Sequence, residues 1–207
     1  MKRRPRHPNR RDISQLFWDA IHTRTLFRDG GGSNDDLLRI IQNITSLQAF
    51  PDVPRNMIAE PIGASLRTIG LGLHVSTFDQ SCRLHTDCLH LISRFTQDQN
   101  VELAAFAIWA LGDVGIPPII VRDRLIELVK APARSASGKT GTCRAVAFRM
   151  LARHDKDSAN TFRDAPVFRE FVQMLLDFRQ HKSERYPDNK DLVNEIDAEL
   201  EPWGLSG

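Results

Sequence analysis

Residues Asn100 to Pro118 read NVELAAFAIWALGDVGIPP, and the fold turns on how this stretch is understood. From Val101 to Leu111 the chain is apolar almost without a break, with Glu102 the exception. Alanine and leucine favour helix, and no glycine or proline interrupts the run before Gly112 and Gly115. A helix that is apolar on every side has to be covered on several sides. Crossing a bilayer takes about 20 apolar residues, more than this run supplies. The stretch therefore predicts a helix wedged between other helices, with the fold built outward from it.

The flanking sequence keeps the same character. Asp12 and Gln15 fit a capping box, and Ile13, Leu16, Phe17, Ala20 and Ile21 form one apolar stripe that ends before Gly30-Gly31-Gly32. Ser33 or Asn34 caps a helix with Leu37, Ile40, Ile41, Ile44 and Leu47, stopped by Pro51 and Pro54. A helix from about Arg55 to Leu73 follows, with a kink or break expected near Glu60 because of Pro61. Thr77 and Gln80 fit a second capping box, ahead of Leu84, Cys88, Leu91, Ile92 and Phe95. Beyond the central stretch, Pro117-Pro118 opens a helix carrying Leu125, Ile126, Leu128 and Val129. Thr142 to Arg153 is helical with Val146, Ala147, Met150 and Leu151 inward, and Pro166 opens another helix with Phe168, Phe171, Val172 and Leu175. Asp188 caps a short acidic helix with Leu192, Val193, Ile196 and Leu200. No stretch reads as a strand, so the fold class is all-α.

The helices come in pairs, and the second of each pair recurs. Leu71-Gly72, Leu111-Gly112 and Leu151-Ala152 stand 40 residues apart, with Arg67, Ala107 and Ala147 four positions before. Such a period, with two helices per unit, belongs to a stacked array in which neighbours share the faces that one pair leaves open. The segment Glu102 to Asp155 resembles HEAT repeats. Ala110–Gly115, ALGDVG, is similar to the end of that repeat's second helix, and Arg144, Ala147 and Leu151 fall at the spacing of its R-x-x-A-x-x-x-L pattern. Arg67 stands where the earlier repeat would have a small residue, and Glu60-Pro61 departs from the family's helix start. The resemblance implies a right-handed α-solenoid of about three to four helical pairs, HEAT- or armadillo-like, with extra terminal helices. It also implies that the work is holding a protein, or sometimes nucleic acid, on the concave side.

At 207 residues with 41% hydrophobic content, the chain can bury a real core as one domain. Only 7% is aromatic, with a single tyrosine, which speaks against a β-sandwich. Three cysteines cannot close a disulfide set, so a reducing, cytoplasmic setting is expected. The net charge of +2 is unevenly placed. Lys2, Arg3, Arg4, Arg6, Arg10 and Arg11 face only Asp12 at one end; at the other, seven carboxylates face Arg185 and Lys190. The expected organisation is a disordered basic arm over residues 1–11, a helical-repeat domain over 12–183, and an acidic helix and tail over 184–207.

Few residues suggest chemistry. Ser137-Gly138-Lys139-Thr140-Gly141 is similar to a phosphate-binding loop, but Ala133 stands where the first glycine belongs and a helix stands where a strand belongs. Cys82, His85, Cys88 and His90 are close in sequence, yet His90 points away from the face that the others share on a helix, so no zinc site is expected. Asp123 and Glu127 read as a solvated face beside Arg124 and Lys130 rather than a catalytic pair. No nucleophile–base motif is present, and the reading is a non-enzymatic protein without cofactor or metal.

What remains is a ridge. Glu102, Trp109 and Asp113 share one helical stripe, and Thr142, Arg149 and Arg153 are their equivalents 40 residues on. Tryptophan and arginine are the commonest hot-spot residues, so Trp109, Asp113, Arg149 and Arg153 are the candidate protein-binding set. The plainer reading is that Trp109 is buried beneath a neighbouring helix and Arg149 merely solvates the ridge. The alternative function is nucleic-acid binding through Lys2, Arg3, Arg4, Arg6, Arg10 and Arg11 with Arg134, Lys139, Arg144, Arg149 and Arg153. That arm carries no aromatic residue for base stacking, and it reads equally as a targeting signal or a solvated tail.

Overall fold

The computed structural model describes residues 10–48, 54–76, 78–115, 119–134, 141–186 and 189–205. Among them every regular element is a helix and none is a strand. No helix among the described residues is long and apolar enough to cross a membrane. The chain divides into two units, residues 1–124 and 125–207, with the boundary inside α6 (Ile119–Lys130).

The first unit contains α1 (Arg10–Arg28), α2 (Asn34–Gln48), α3 (Arg55–Val75), α4 (Arg83–Phe95) and α5 (Val101–Asp113). Its starts are chemically marked. Ser33 and Asp36 exchange hydrogen bonds at the head of α2, the Ser33 Oγ accepting from the Asp36 N–H at 3.3 Å and the Asp36 carboxylate accepting from the Ser33 N–H at 3.0 Å. Asn100 caps α5 by accepting from the Leu103 N–H at 3.1 Å. α1 begins at Arg10, so Asp12 lies in its first turn, where a carboxylate favours the exposed N–H groups. The expected capping box at Thr77 falls outside the described residues.

α5 is buried as its composition requires, from Leu103 through Gly112 with only Phe106 and Trp109 partly exposed. The helix at the centre of the unit, however, is α3, against which α1, α2, α4 and α5 all pack. Pro61 does not interrupt it: the helix runs from Arg55 to Val75. Its glycines are points of close approach. A Cβ on Gly63 would lie 2.4 Å from the Phe106 ring, and one on Gly70 would lie 2.3 Å from the Ala110 carbonyl oxygen. The 40-residue register is thus a physical contact, because Gly70 meets Ala110 and the His74 Nδ1–H donates to the Val114 carbonyl at 3.2 Å. On the opposite side, the Thr68 hydroxyl donates to the Ala20 carbonyl of α1 at 2.9 Å.

The second unit holds α7 (Cys143–His154), α8 (Lys156–Asn160), α9 (Pro166–Arg185), α10 (Asp191–Leu200) and a 3-10 turn at Glu201–Trp203. Thr142 caps α7 through the Ala145 N–H, and Asp155 caps α8, a short helix with no apolar period to announce it. α7 packs on α8 and α9, and α9 on α10. Phe148, Phe168, Phe171 and Trp203 form one aromatic cluster, with Phe148 4.8 Å from Phe171 and Trp203 5.3 Å from Phe168 between ring centroids. Trp203 is 5% exposed, whereas Trp18 on α1 is 61% exposed. The acidic C-terminal segment is therefore part of the second unit's core, contributing Ile196, Leu200 and Trp203.

Candidate functional site

The four ridge residues fall into two groups, Trp109 and Asp113 in the first unit, Arg149 and Arg153 in the second. In each group a carboxylate is held by two guanidiniums. In the first, Asp113 at the C-terminal end of α5 accepts from Arg67 of α3 at 2.8 and 3.1 Å, and from Arg24 of α1 at 3.5 Å. The Arg67 guanidinium also lies 5.6 Å from the centroid of the Trp109 ring. Trp109 is therefore partly covered by a cation rather than buried under a helix, and the guanidinium is matched to the electron-rich ring face. Burial, with the nearby charge of Arg67, pulls the Arg24 guanidinium below its ordinary pKa, against the opposing pull of Asp113.

In the second unit the acceptor comes from the acidic C-terminal helix. Arg149 of α7 donates two bonds to Glu199, at 2.7 and 2.6 Å, in a fork that matches the carboxylate plane. Arg153, one turn along α7, donates to the same carboxylate. Arg149 is only 8% exposed, and its guanidinium lies 5.6 Å from the Phe178 ring centroid. Burial pushes the Glu199 carboxyl up, but the hydrogen bonds and charges of Arg149 and Arg153 outweigh it and hold the group below the usual carboxylate range. α10 is pinned again where Arg179 donates to Asp197 at 2.7 Å.

Arg144, named for the nucleic-acid reading, pairs with Glu170 of α9, which also accepts from the Thr142 hydroxyl at 2.6 Å. The Arg144 hydrogen bond holds Glu170 below its ordinary pKa. Lys2, Arg3, Arg4, Arg6 and Lys139 lie outside the described residues, as do the side chains of Arg10 and Arg11 and the glycine–lysine loop at Ser137–Thr140.

The cysteine–histidine group is placed by packing. His85 is buried, its Nδ1 accepting from the Asp79 N–H at 3.1 Å and its Nε2 3.5 Å from the Ser76 hydroxyl. Burial pushes the Cys88 thiol up to about 12, so it is not poised as a thiolate. Among the described residues no three His, Cys, Asp or Glu side chains converge on a point where an ion would sit. Asp123 pairs with Arg122 at 3.2 Å.

Sequence reasoning missed the carboxylates and cations that complete these groups: Arg24, Glu170 and Glu199. Their partners lie 89, 26 and 50 positions away, and no local pattern reports such a pairing. The one legible signal was the excess of carboxylates after residue 184, which sits in the same half of the chain as the cations of α7. Comparison with family models, with curated proteins and with solved structures finds no match to this chain, so the geometry of its own residues carries the functional reading.

Proposed function

We infer that the chain is a non-enzymatic, HEAT-like α-solenoid that serves as a protein-binding scaffold or adaptor subunit. The observation that carries this reading is the 40-residue register between α3 and α5. Gly70 against Ala110 and His74 against Val114 are what a stacked helical repeat requires, since each unit must lie beside its successor at equivalent positions. On α5, Trp109 and Asp113 present aromatic and charged groups that are partly exposed, and in the second unit Arg153 of α7 is exposed. Internal pairing sets their geometry in advance, which lowers the entropy lost when a partner binds.

The test is affinity purification of the full chain from native cells, compared with Trp109→Ala and, separately, Arg153→Gln variants. Arg153 is chosen because its side chain is 45% exposed, and glutamine removes its charge without setting a second carboxylate against Glu199. A specific partner lost from either folded variant supports the reading, and an unchanged partner set in both excludes these residues as the site. Nucleic-acid binding has less support, because the charges of Arg144, Arg149 and Arg153 are largely offset by Glu170 and Glu199. A gel shift with and without residues 1–11 tests it, and salt-sensitive binding that needs the arm would restore it.

A further inference from the structure

Three helices of the first unit meet at one carboxylate. Asp113 of α5 accepts from Arg67 of α3 and from Arg24 of α1, but the two arginines are not held alike. Arg67 forks onto both oxygens, its Nε donating to Oδ2 at 2.8 Å and its Nη2 to Oδ1 at 3.1 Å. Arg24 reaches only Oδ2, the oxygen Arg67 already uses, and at 3.5 Å. A charge-assisted N–H···O bond normally measures about 2.7–2.9 Å, so this contact is long and weak. Among the described residues Arg24 makes no other ion pair. Its side chain is nevertheless only 30% exposed, so water replaces the missing acceptors in part. The half-used fork is therefore a property of the bonding at Arg24 itself.

The surroundings of the fork are apolar and open. Each of the three charged residues has an apolar neighbour one turn away on the same helical face: Ile21 beside Arg24, Leu71 beside Arg67 and Trp109 beside Asp113. All three neighbours are partly exposed. We propose that the meeting point of α1, α3 and α5 docks an acidic peptide segment of a partner protein, whose carboxylate completes the Arg24 fork while an adjoining apolar side chain packs among Ile21, Leu71 and Trp109. This rests on the protein-binding reading and names the chemistry of the partner. A carboxylate suits the place because it matches a guanidinium fork with two parallel bonds and carries one charge. A phosphate would bring further negative charge toward Asp113.

The probe is a displayed library of random twelve-residue peptides, panned against the immobilised full chain, with enriched sequences then synthesised and titrated by fluorescence polarisation. Enriched peptides are expected to share an aspartate or glutamate next to leucine, phenylalanine or tryptophan. Arg24→Gln, in which Asp113 keeps Arg67, is expected to bind them about tenfold more weakly, as fits the loss of a charged hydrogen bond. Changing the acidic residue of the peptide to its amide is expected to cost the same factor with the unaltered chain and almost nothing with Arg24→Gln. That coupling distinguishes a direct contact from a general disturbance of the fold. No enrichment of acidic peptides, unchanged affinity in Arg24→Gln, or losses that simply add overturns the proposal. Displacement of the peptides by oligothymidylate that is lost in Arg24→Gln also overturns it, by assigning the fork to a phosphate backbone. A partner recovered from native cells that needs Trp109 but is indifferent to Arg24→Gln leaves the scaffold reading standing and overturns this one alone.

Discussion

At the scale of single residues, two positions show how little freedom the packing leaves. Gly70 sits inside a helix, where replacing glycine by alanine ordinarily gains about 1 kcal/mol. Here the new Cβ would lie 2.3 Å from the Ala110 carbonyl oxygen, a backbone atom that cannot rotate aside. Overpacking of this kind costs about 1–3 kcal/mol, so Gly70→Ala is expected to destabilise the chain despite its better helix propensity, read as a lowered urea midpoint. Arg149 is the second case. Removing one partner of a buried pair strands the other charge, at about 3–5 kcal/mol. Glu199 would keep Arg153, so Arg149→Ala is expected near the lower end, about 3 kcal/mol. Arg153→Ala removes a 45% exposed partner and is expected to cost under about 1 kcal/mol in the same denaturation experiment. Equal losses from the two would show that Arg149 is not the buried anchor.

At the scale of elements, periodic segments were readable and long-range roles were not. α5 announces its burial because it is apolar on all sides, and α7 and α9 announce their inward faces. α3 was harder to read. Pro61 and three glycines look like weaknesses in a linear sequence, yet Gly63 and Gly70 are where α5 comes closest and Gly72 is where Leu37 and Phe27 press in. A lone sequence cannot tell a glycine that loosens a helix from one that admits a neighbour. The C-terminal segment was legible as a short acidic helix with an apolar side, but its partners were not: Ile196, Leu200 and Trp203 are buried, and Glu199 and Asp197 are bonded to arginines of α7 and α9. Trp203→Ala is therefore expected to cost about 3–5 kcal/mol, as for other buried aromatic truncations, and ending the chain at Tyr186 is expected to unfold the second unit outright. Proteolysis and near-ultraviolet dichroism of the shortened chain check this; a native-like aromatic signal would refute it.

At the scale of the whole molecule, the net charge of +2 conceals pairs that set acid stability. Glu170 and Glu199 both have folded pKa values below their ordinary 4.5. A carboxyl depressed by folding contributes stability that is complete above its unfolded pKa and is lost as pH falls through the folded one. Thermal melts are therefore expected to hold steady from about pH 7 to about pH 5 and to drop below about pH 4. Glu170→Gln is expected to flatten that drop, and an equally steep acid limb in the variant would remove Glu170 from the cause. Which residues share a helix face was legible for the same reason that this pairing was not. Helical spacing put Trp109 with Asp113 and Arg149 with Arg153, but spacing is local, and what each group touches depends on chain returning from far away.

The three tryptophans sit in three different surroundings: Trp18 is open to water, Trp109 lies beside a guanidinium, and Trp203 is sealed among phenylalanines. Trp203 is also the sole indole after residue 124. The chain consequently carries its own optical labels. With Trp18 and Trp109 changed to phenylalanine, blue-shifted emission from the remaining fluorophore would report on residues 125–207 alone, and its reddening on heating would time the melting of that half without any dye attached.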